Sequence, residues 1–297
     1  MNKIADTNQA NTMLSDASPG IYTYCLTRTR VSFPHTMMGI DGIHEVYLAE
    51  QDGIFAILSD VSLKEYNEET LDKNMTDVAW LVPRAKRHEE VIEFVMTHAT
   101  LNQHVISNSP LYPHLNLPPV VPLRFCTIYK NQEGLFKAIM LHKEKILNFL
   151  DYTADKTEWS VKVFCDKAIF INNSGKNKES SAMIDQTSLL PGEAYLLAKK
   201  MRKVKEENFK QDLQMYLKDI DFTLSQFADS YRFLQCTDKS IHGRPLDMVM
   251  NTAFLVEQQT FNMFKDTLDM LAEKYKDEGL AFEFSGPWPP YNFCPAL

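Results

Sequence analysis

The chain lacks most of the short motifs that announce ligand chemistry. Its ten glycines mostly stand alone at turns, and none belongs to a GxGxxG fingerprint, a Walker loop or a GxSxG nucleophile elbow. No phosphate cradle is therefore expected. Of the eight histidines, His88, His98, His104 and His114 lie six or more residues apart, without the i, i+4 pair or HExxH spacing of a zinc site. No metal and no cofactor are expected on this basis. The five cysteines, Cys25, Cys126, Cys165, Cys236 and Cys294, form no CxxC pair, and their odd number fits reduced thiols in the cytoplasm. Basic charge is scarce as well. A net charge of −8 argues against nucleic acid as a partner, because phosphate binding draws on clustered Lys and Arg. No apolar run approaches the roughly 20 residues that span a bilayer, so an integral membrane protein is not expected. The stretch from Met1 to Pro19 is polar, has no secretory apolar core, and reads as a disordered tail over residues 1–18. The acidic clusters Glu65-Tyr66-Asn67-Glu68-Glu69 and Asp277-Glu278 read as helix or loop surface, not as an opposed catalytic carboxylate pair.

What is present suffices for a large core. Over 297 residues, 44% are hydrophobic and 24% charged, ordinary globular values that favour two domains. The second half carries the clearer order. Trp159, Val161 and Val163 alternate with Ser160, Lys162 and Phe164, the period of a strand. A polar stretch from Asn172 to Lys178 interrupts, and Pro191-Gly192 then opens a long helix, with Ser188 as a candidate cap. That helix would reach about Ala228, and a break near Glu206–Asn208 is expected because a four-stranded sheet needs far less length. Its first half holds the basic run Lys199, Lys200, Arg202, Lys203 and Lys205, and its second an apolar stripe from Phe209 to Phe227. Tyr231–Cys236 and Met248–Val256 predict two further strands, the latter central because both of its faces are apolar. Phe261, Phe264, Leu268, Leu271 and Tyr275 then form one helical stripe, Gly279 ends the helix, and Leu280–Phe284 makes a fourth strand. The order is βαββαβ, that of a ferredoxin-like domain with two helices on one face of an antiparallel sheet.

The first half is less regular. Ile21–Leu26, His44–Leu48 and Ile54–Val61 predict strands, the last two joined by the turn-forming Gln51-Asp52-Gly53. Helices are expected from about Thr76 to Leu101 and from Gly134 to Leu150, with a strand over Val120–Tyr129 between them. The fold class is thus α+β in two domains, residues 19–152 and 153–297, after the 1–18 tail.

Two constellations are candidates for function. Arg84 and His88 share a helix face, and Arg124 lies in an apolar strand where its guanidinium would need a carboxylate such as Glu89 or Asp60. An anion or acid/base pocket is one reading of these three residues; a buried network locking helix to strand is the favoured one. No catalytic residue is assigned. The other candidate is the terminal Ser285-Gly286-Pro287-Trp288-Pro289-Pro290-Tyr291-Asn292-Phe293. Its prolines remove backbone donors, so the chain should leave the sheet as a stiff segment carrying Trp288, Tyr291 and Phe293. Those aromatics either clasp the protein's own body or meet a partner.

That terminal segment resembles the closing motif of the gas vesicle GvpL/GvpF family, minor proteins of the buoyancy organelles of prokaryotes. The likeness extends through Gly20–Tyr24, Phe55–Val61, Arg84–Ile92, Val121–Tyr129, Trp159–Phe164, Gly192–Leu197 and Asn251–Val256. Cys126 stands where a glycine is expected, and a polar insertion follows Phe170. The resemblance implies an N-terminal α+β domain of family-specific fold and a modified ferredoxin-like C-terminal domain. It also implies a non-enzymatic role in gas vesicle assembly, in the cytoplasm and at the vesicle. The chain would bind the apolar major shell protein, prevent its aggregation during nucleation and stay attached to the shell, alongside other minor vesicle proteins. No nucleic acid and no membrane are expected partners. A metabolite-binding regulator or enzyme on a ferredoxin-like fold is the alternative.

Overall fold

The computed structural model describes residues 19–98, 117–176 and 191–297. The tail over residues 1–18, His104, His114 and the candidate cap Ser188 lie outside the described residues. The chain divides into two compact units, Met1–Ala154 with Cys294–Leu297, and Asp155–Phe293.

The first unit is built from β1 (Pro19–Thr27), β2 (Val46–Gln51), β3 (Ile54–Ser62), α1 (Glu68–Asn74), α2 (Val78–His98), β4 (Val120–Pro122), β5 (Ile128–Tyr129), α3 (Gln132–Leu141) and α4 (Lys143–Tyr152). Its antiparallel sheet runs β2-β3-β1-β4, with β5 also pairing β1. As the central strand, β1 is buried from Gly20 to Thr27. Across it, α2 lays His88, Val91, Ile92, Val95 and Met96, a 3–4 spaced stripe on an otherwise polar helix. The acidic residues after Glu65 belong to α1, capped by the Asn67 side chain, which accepts from Thr70 N at 3.0 Å.

Two expectations are corrected here. The single strand over Val120–Tyr129 is two short strands separated by a turn, because Cys126 takes the left-handed conformation at φ 64°. That is the position where the sequence departs from glycine. The helix over Gly134–Leu150 is likewise two helices, broken at His142, which leaves the helical region with φ −107° and ψ 12°.

The second unit contains β6 (Lys156–Cys165), α5 (Lys167–Lys176), α6 (Pro191–Ser225), β7 (Ser230–Phe233), α7 (Lys239–His242), β8 (Asp247–Glu257), α8 (Phe261–Lys276) and β9 (Leu280–Trp288). Its sheet is antiparallel in the order β7-β8-β6-β9. The two central strands carry the core. Trp159 of β6 stacks on Phe261 and on Phe284 at ring distances of 4.6 and 4.9 Å, and Phe254 of β8 meets Phe264 at 5.3 Å. All five residues of the expected α8 stripe are buried.

The second unit brings its own corrections. Far from breaking near Glu206–Asn208, α6 is continuous over 35 residues. No proline or glycine stands between Glu193 and Ser225 to stop it. Contacts also span the expected break, since Lys167 pairs with Glu206 at 3.5 Å and Phe170 packs on Phe209 and Tyr216. The polar stretch from Asn172 is helical as far as Lys176, within α5. Finally, β9 runs on to Trp288, beyond the expected end at Phe284. It can do so because it is an edge strand: a bulge opposite Glu158 and Ser160 absorbs Pro287, which has no N–H to give.

Candidate functional site

In the terminal segment, every residue from Ser285 to Phe293 has a definite placement. Gly286 has φ 135°, and a Cβ there would lie 2.8 Å from the Trp159 ring and 3.0 Å from the Glu158 carbonyl. Only glycine fits both the conformation and the space. Trp288 pairs in register with Glu158, gives its indole N–H to Ser285 Oγ at 3.2 Å, and remains 43% exposed. Pro289 and Pro290 are buried, while Tyr291 and Phe293 are half-buried. Arg232 of β7 lies over the Phe293 ring at 5.7 Å.

Between those aromatics, Asn292 makes the fastening contact. Its backbone N–H and side-chain amide donate to the two carboxylate oxygens of Glu158, at 3.1 and 2.6 Å. Glu158 is only 3% exposed. Burial raises its pKa to about 7, against the lowering effect of the two Asn292 hydrogen bonds. The partners stand 134 residues apart, so no local pattern could have paired them. Tyr291 and Phe293 thus flank a latch, and Trp288 is the large apolar side chain that the latch leaves outside.

The second constellation lies in the first unit. His88 is 2% exposed beneath β1. Cys126 N donates to Tyr22 Oη at 3.0 Å, and Tyr22 Oη sits 2.8 Å from His88 Nδ1. A neutral ring accepting at Nδ1 completes this relay, with the Leu123 backbone carbonyl acting on the ring from nearby. Burial holds the His88 pKa down at about 4, outweighing that carbonyl, so the ring is uncharged at neutral pH. Tyr24 stacks on His88 at 5.7 Å, takes Ile40 N–H at 2.6 Å and contacts Ser59 Oγ at 2.8 Å.

Arg84 and Arg124 are placed differently. Arg84 pairs with Glu65 at 2.5 Å, donates to Tyr66 Oη at 3.0 Å and lies 4.4 Å over the Trp80 ring. Trp80 Nε1 reaches the same Glu65 oxygen at 2.7 Å. Arg124 is exposed in the turn after β4, so the buried Arg124 expected from its apolar neighbours is not found. Of the two carboxylates expected to answer it, Asp60 accepts from Tyr47 at 2.9 Å. Glu65, which sequence reasoning assigned to the surface, is the carboxylate that holds Arg84.

Burial raises the pKa of all five thiols, Cys126 and Cys165 to about 11 and Cys294 to about 12. Among the described residues no group of three His, Cys, Asp or Glu is placed to hold a metal, and no helix is long and apolar enough to cross a membrane. One open groove of about 850 Å³ lies in the first unit, floored by Phe136, Met140 and Leu141 of α3 and rimmed by Gln51, Gln132, Glu133 and Lys137. Its surface is mainly apolar, with four polar side chains among the seven that line it.

An α+β chain with two antiparallel sheets of this kind is the architecture of known gas vesicle proteins. The crystal structure of GvpF from Anabaena sp. PCC7120 superposes with a TM-score of 0.63 at 20% identity, covering 94% of this chain and 98% of that one. GvpF from Microcystis aeruginosa gives 0.59 at 19% identity, over 93% and 99%. In sequence, gas vesicle protein L of Streptomyces sp. (strain CB03234) is 23% identical over 274 residues, 92% of either chain. Gas vesicle protein F of Nostoc sp. (strain PCC 7120) is 24% identical over 282 residues, 93% of this chain and 98% of that one. The model of the family described as gas vesicle synthesis protein GvpL/GvpF matches residues 20–101 and 116–295, and the chain belongs to that family.

Proposed function

We propose that this chain is a non-enzymatic assembly factor of gas vesicles. It binds the apolar major shell protein, keeps it from aggregating before and during nucleation, and remains attached to the growing shell in the cytoplasm. Family membership supports the setting, a gas vesicle-related role. A subunit destined to face gas exposes apolar surface in water until it polymerises, and a folded partner that covers this surface suppresses its self-association.

The observation that carries the reading is the presentation of Trp288. A large apolar ring, 43% exposed, stands between buried prolines and an edge strand, with Asn292 fastening the chain a few residues on. Its orientation is set before binding, so little ordering cost remains. Tyr291 and Phe293 extend the contact from half-buried positions. The α3 groove adds a second apolar surface in the other unit. The βαββαβ element order with strands β7-β8-β6-β9 further supports reading the second unit as a modified ferredoxin-like domain. The rival of a metabolite-binding regulator has less support, because Arg124 is exposed and Arg84 is held by Glu65.

The test is co-purification of the major shell protein with Trp288→Ala and with the triple alanine variant at Trp288, Tyr291 and Phe293. Capture and vesicle yield should fall with Trp288→Ala, while its circular dichroism and unfolding midpoint match the parent. Unchanged capture by the triple variant would reduce the segment to a clasp.

A further inference from the structure

The helix α6 has two apolar sides. One faces the interior of its own unit, where Ile220 and Leu224 are fully buried. At about 100° per residue, Met201, Val204, Met215 and Phe222 lie on the opposite side of the same helix. They are 45, 46, 59 and 68% exposed. With Asn208, Gln211 and Lys218 between them, these four occupy the a and d positions of a heptad seam. At 35 residues α6 is also more than twice as long as the 16-residue α8.

We propose that this outward face pairs with the same face of a second copy, as an antiparallel two-fold helix pair centred between Phe209 and Lys210. Register and charge select that occupant. An antiparallel seam opposes a positions to d positions. With the axis at this point, Val204 meets Met215 of the second copy on both sides of the centre. Asn208 meets Gln211 there, so the two polar seam residues answer each other by hydrogen bonding. Met201 packs along the aliphatic stem of Lys218. On the flanks, Lys205 faces Asp212 and Lys200 faces Asp221, each twice by symmetry, while Glu207 faces the neutral Gln214.

The parallel pair and the half-heptad shifts of this seam do worse. A parallel pair in register sets Lys200 against Lys205 and Glu207 against Asp212, all like charges. Shifting the antiparallel axis by half a heptad sets Glu207 against Asp221 in one direction, and Lys205 against its own copy in the other. The basic first half of α6 finds its counterpart in the acidic second half of the same helix. That is the condition for a self-complementary interface.

Sedimentation equilibrium of the full chain over a range of concentrations tests this. The mass should rise from the 34.2 kDa monomer towards double that value, and rise less in high salt. Lys205→Asp and Asp212→Lys should each weaken the dimer by about tenfold, since each turns two attractive pairs into repulsive ones. The two together restore it, which also excludes misfolding as the cause. A monomer at every concentration overturns the proposal. So does a dimer that Lys205→Asp tightens, as the parallel arrangement requires, or one untouched by Val204→Glu combined with Met215→Glu.

Discussion

The two units bury ionisable groups of opposite kind. Beneath the first sheet lies a base, His88, kept neutral by burial and tied to strand β1 through Tyr22. Beside the second lies an acid, Glu158, whose burial opposes ionisation while two hydrogen bonds from Asn292 favour it. The first joins helix to strand within the core, and the second fastens a terminal segment to a central strand. Each group contributes to cohesion, and the two respond to pH in opposite directions.

The largest effect expected on either side of this comparison is in the second unit. Trp159→Ala removes the ring stacked on Phe261 and Phe284 and should cost about 3–5 kcal/mol. Hydrogen exchange should show protection lost in β6 and β9 and kept in β1 and β3. His88→Ala is the counterpart in the first unit. The lost packing and the lost Tyr22 contact to Nδ1 should cost about 2–3 kcal/mol by urea unfolding, with exchange rising in β1 and α2. Equal loss of protection in both sheets for either variant would show that the units do not unfold separately.

Asn292→Ala should cost about 1–3 kcal/mol at pH 8, where Glu158 is ionised, and less at pH 5, where it is protonated. In the intact chain the pH responses follow from the two shifts. His88 has a folded pKa of about 4 against 6.5, so its contribution is complete above 6.5 and is lost as pH falls towards 4. Glu158 has a folded pKa of about 7 against 4.5, so its contribution is complete below 4.5 and is lost as pH rises through 7. Between pH 4.5 and 6.5, exchange protection should therefore rise with pH in the first sheet and fall in the second. Parallel trends would contradict the assignment of these groups. The smallest effect separates the two arginines. Arg84→Ala, which leaves the half-buried Glu65 with the Trp80 N–H but no cation, should cost about 1–2 kcal/mol, whereas Arg124→Ala should change stability by less than about 0.5 kcal/mol.

What could be read from the sequence was the local period. The α8 stripe, the alternation in β6 and the apolar run of β8 each imply which face is buried, and those faces meet in one aromatic core. The antiparallel α+β character followed from the same patterns. Contacts between distant residues could not be read in this way. Glu158 with Asn292, and Arg84 with Glu65, depend on how strands and loops are brought together, and no spacing rule connects them. Arg124 was misplaced because its apolar neighbours suggested a continuous strand. Cys126, standing where glycine was expected, was the available sign of a left-handed turn there. The end of β9 was missed because proline excludes a central strand yet tolerates an edge, and strand order is not written in any one segment.

The most direct test of the proposed function is light scattering after the major shell protein is diluted from denaturant, alone or with this chain at equal molar amount. Scattering should be strongly suppressed by the intact chain and much less by Trp288→Ala. Identical scattering with and without the chain would contradict its role in keeping the shell protein from aggregating.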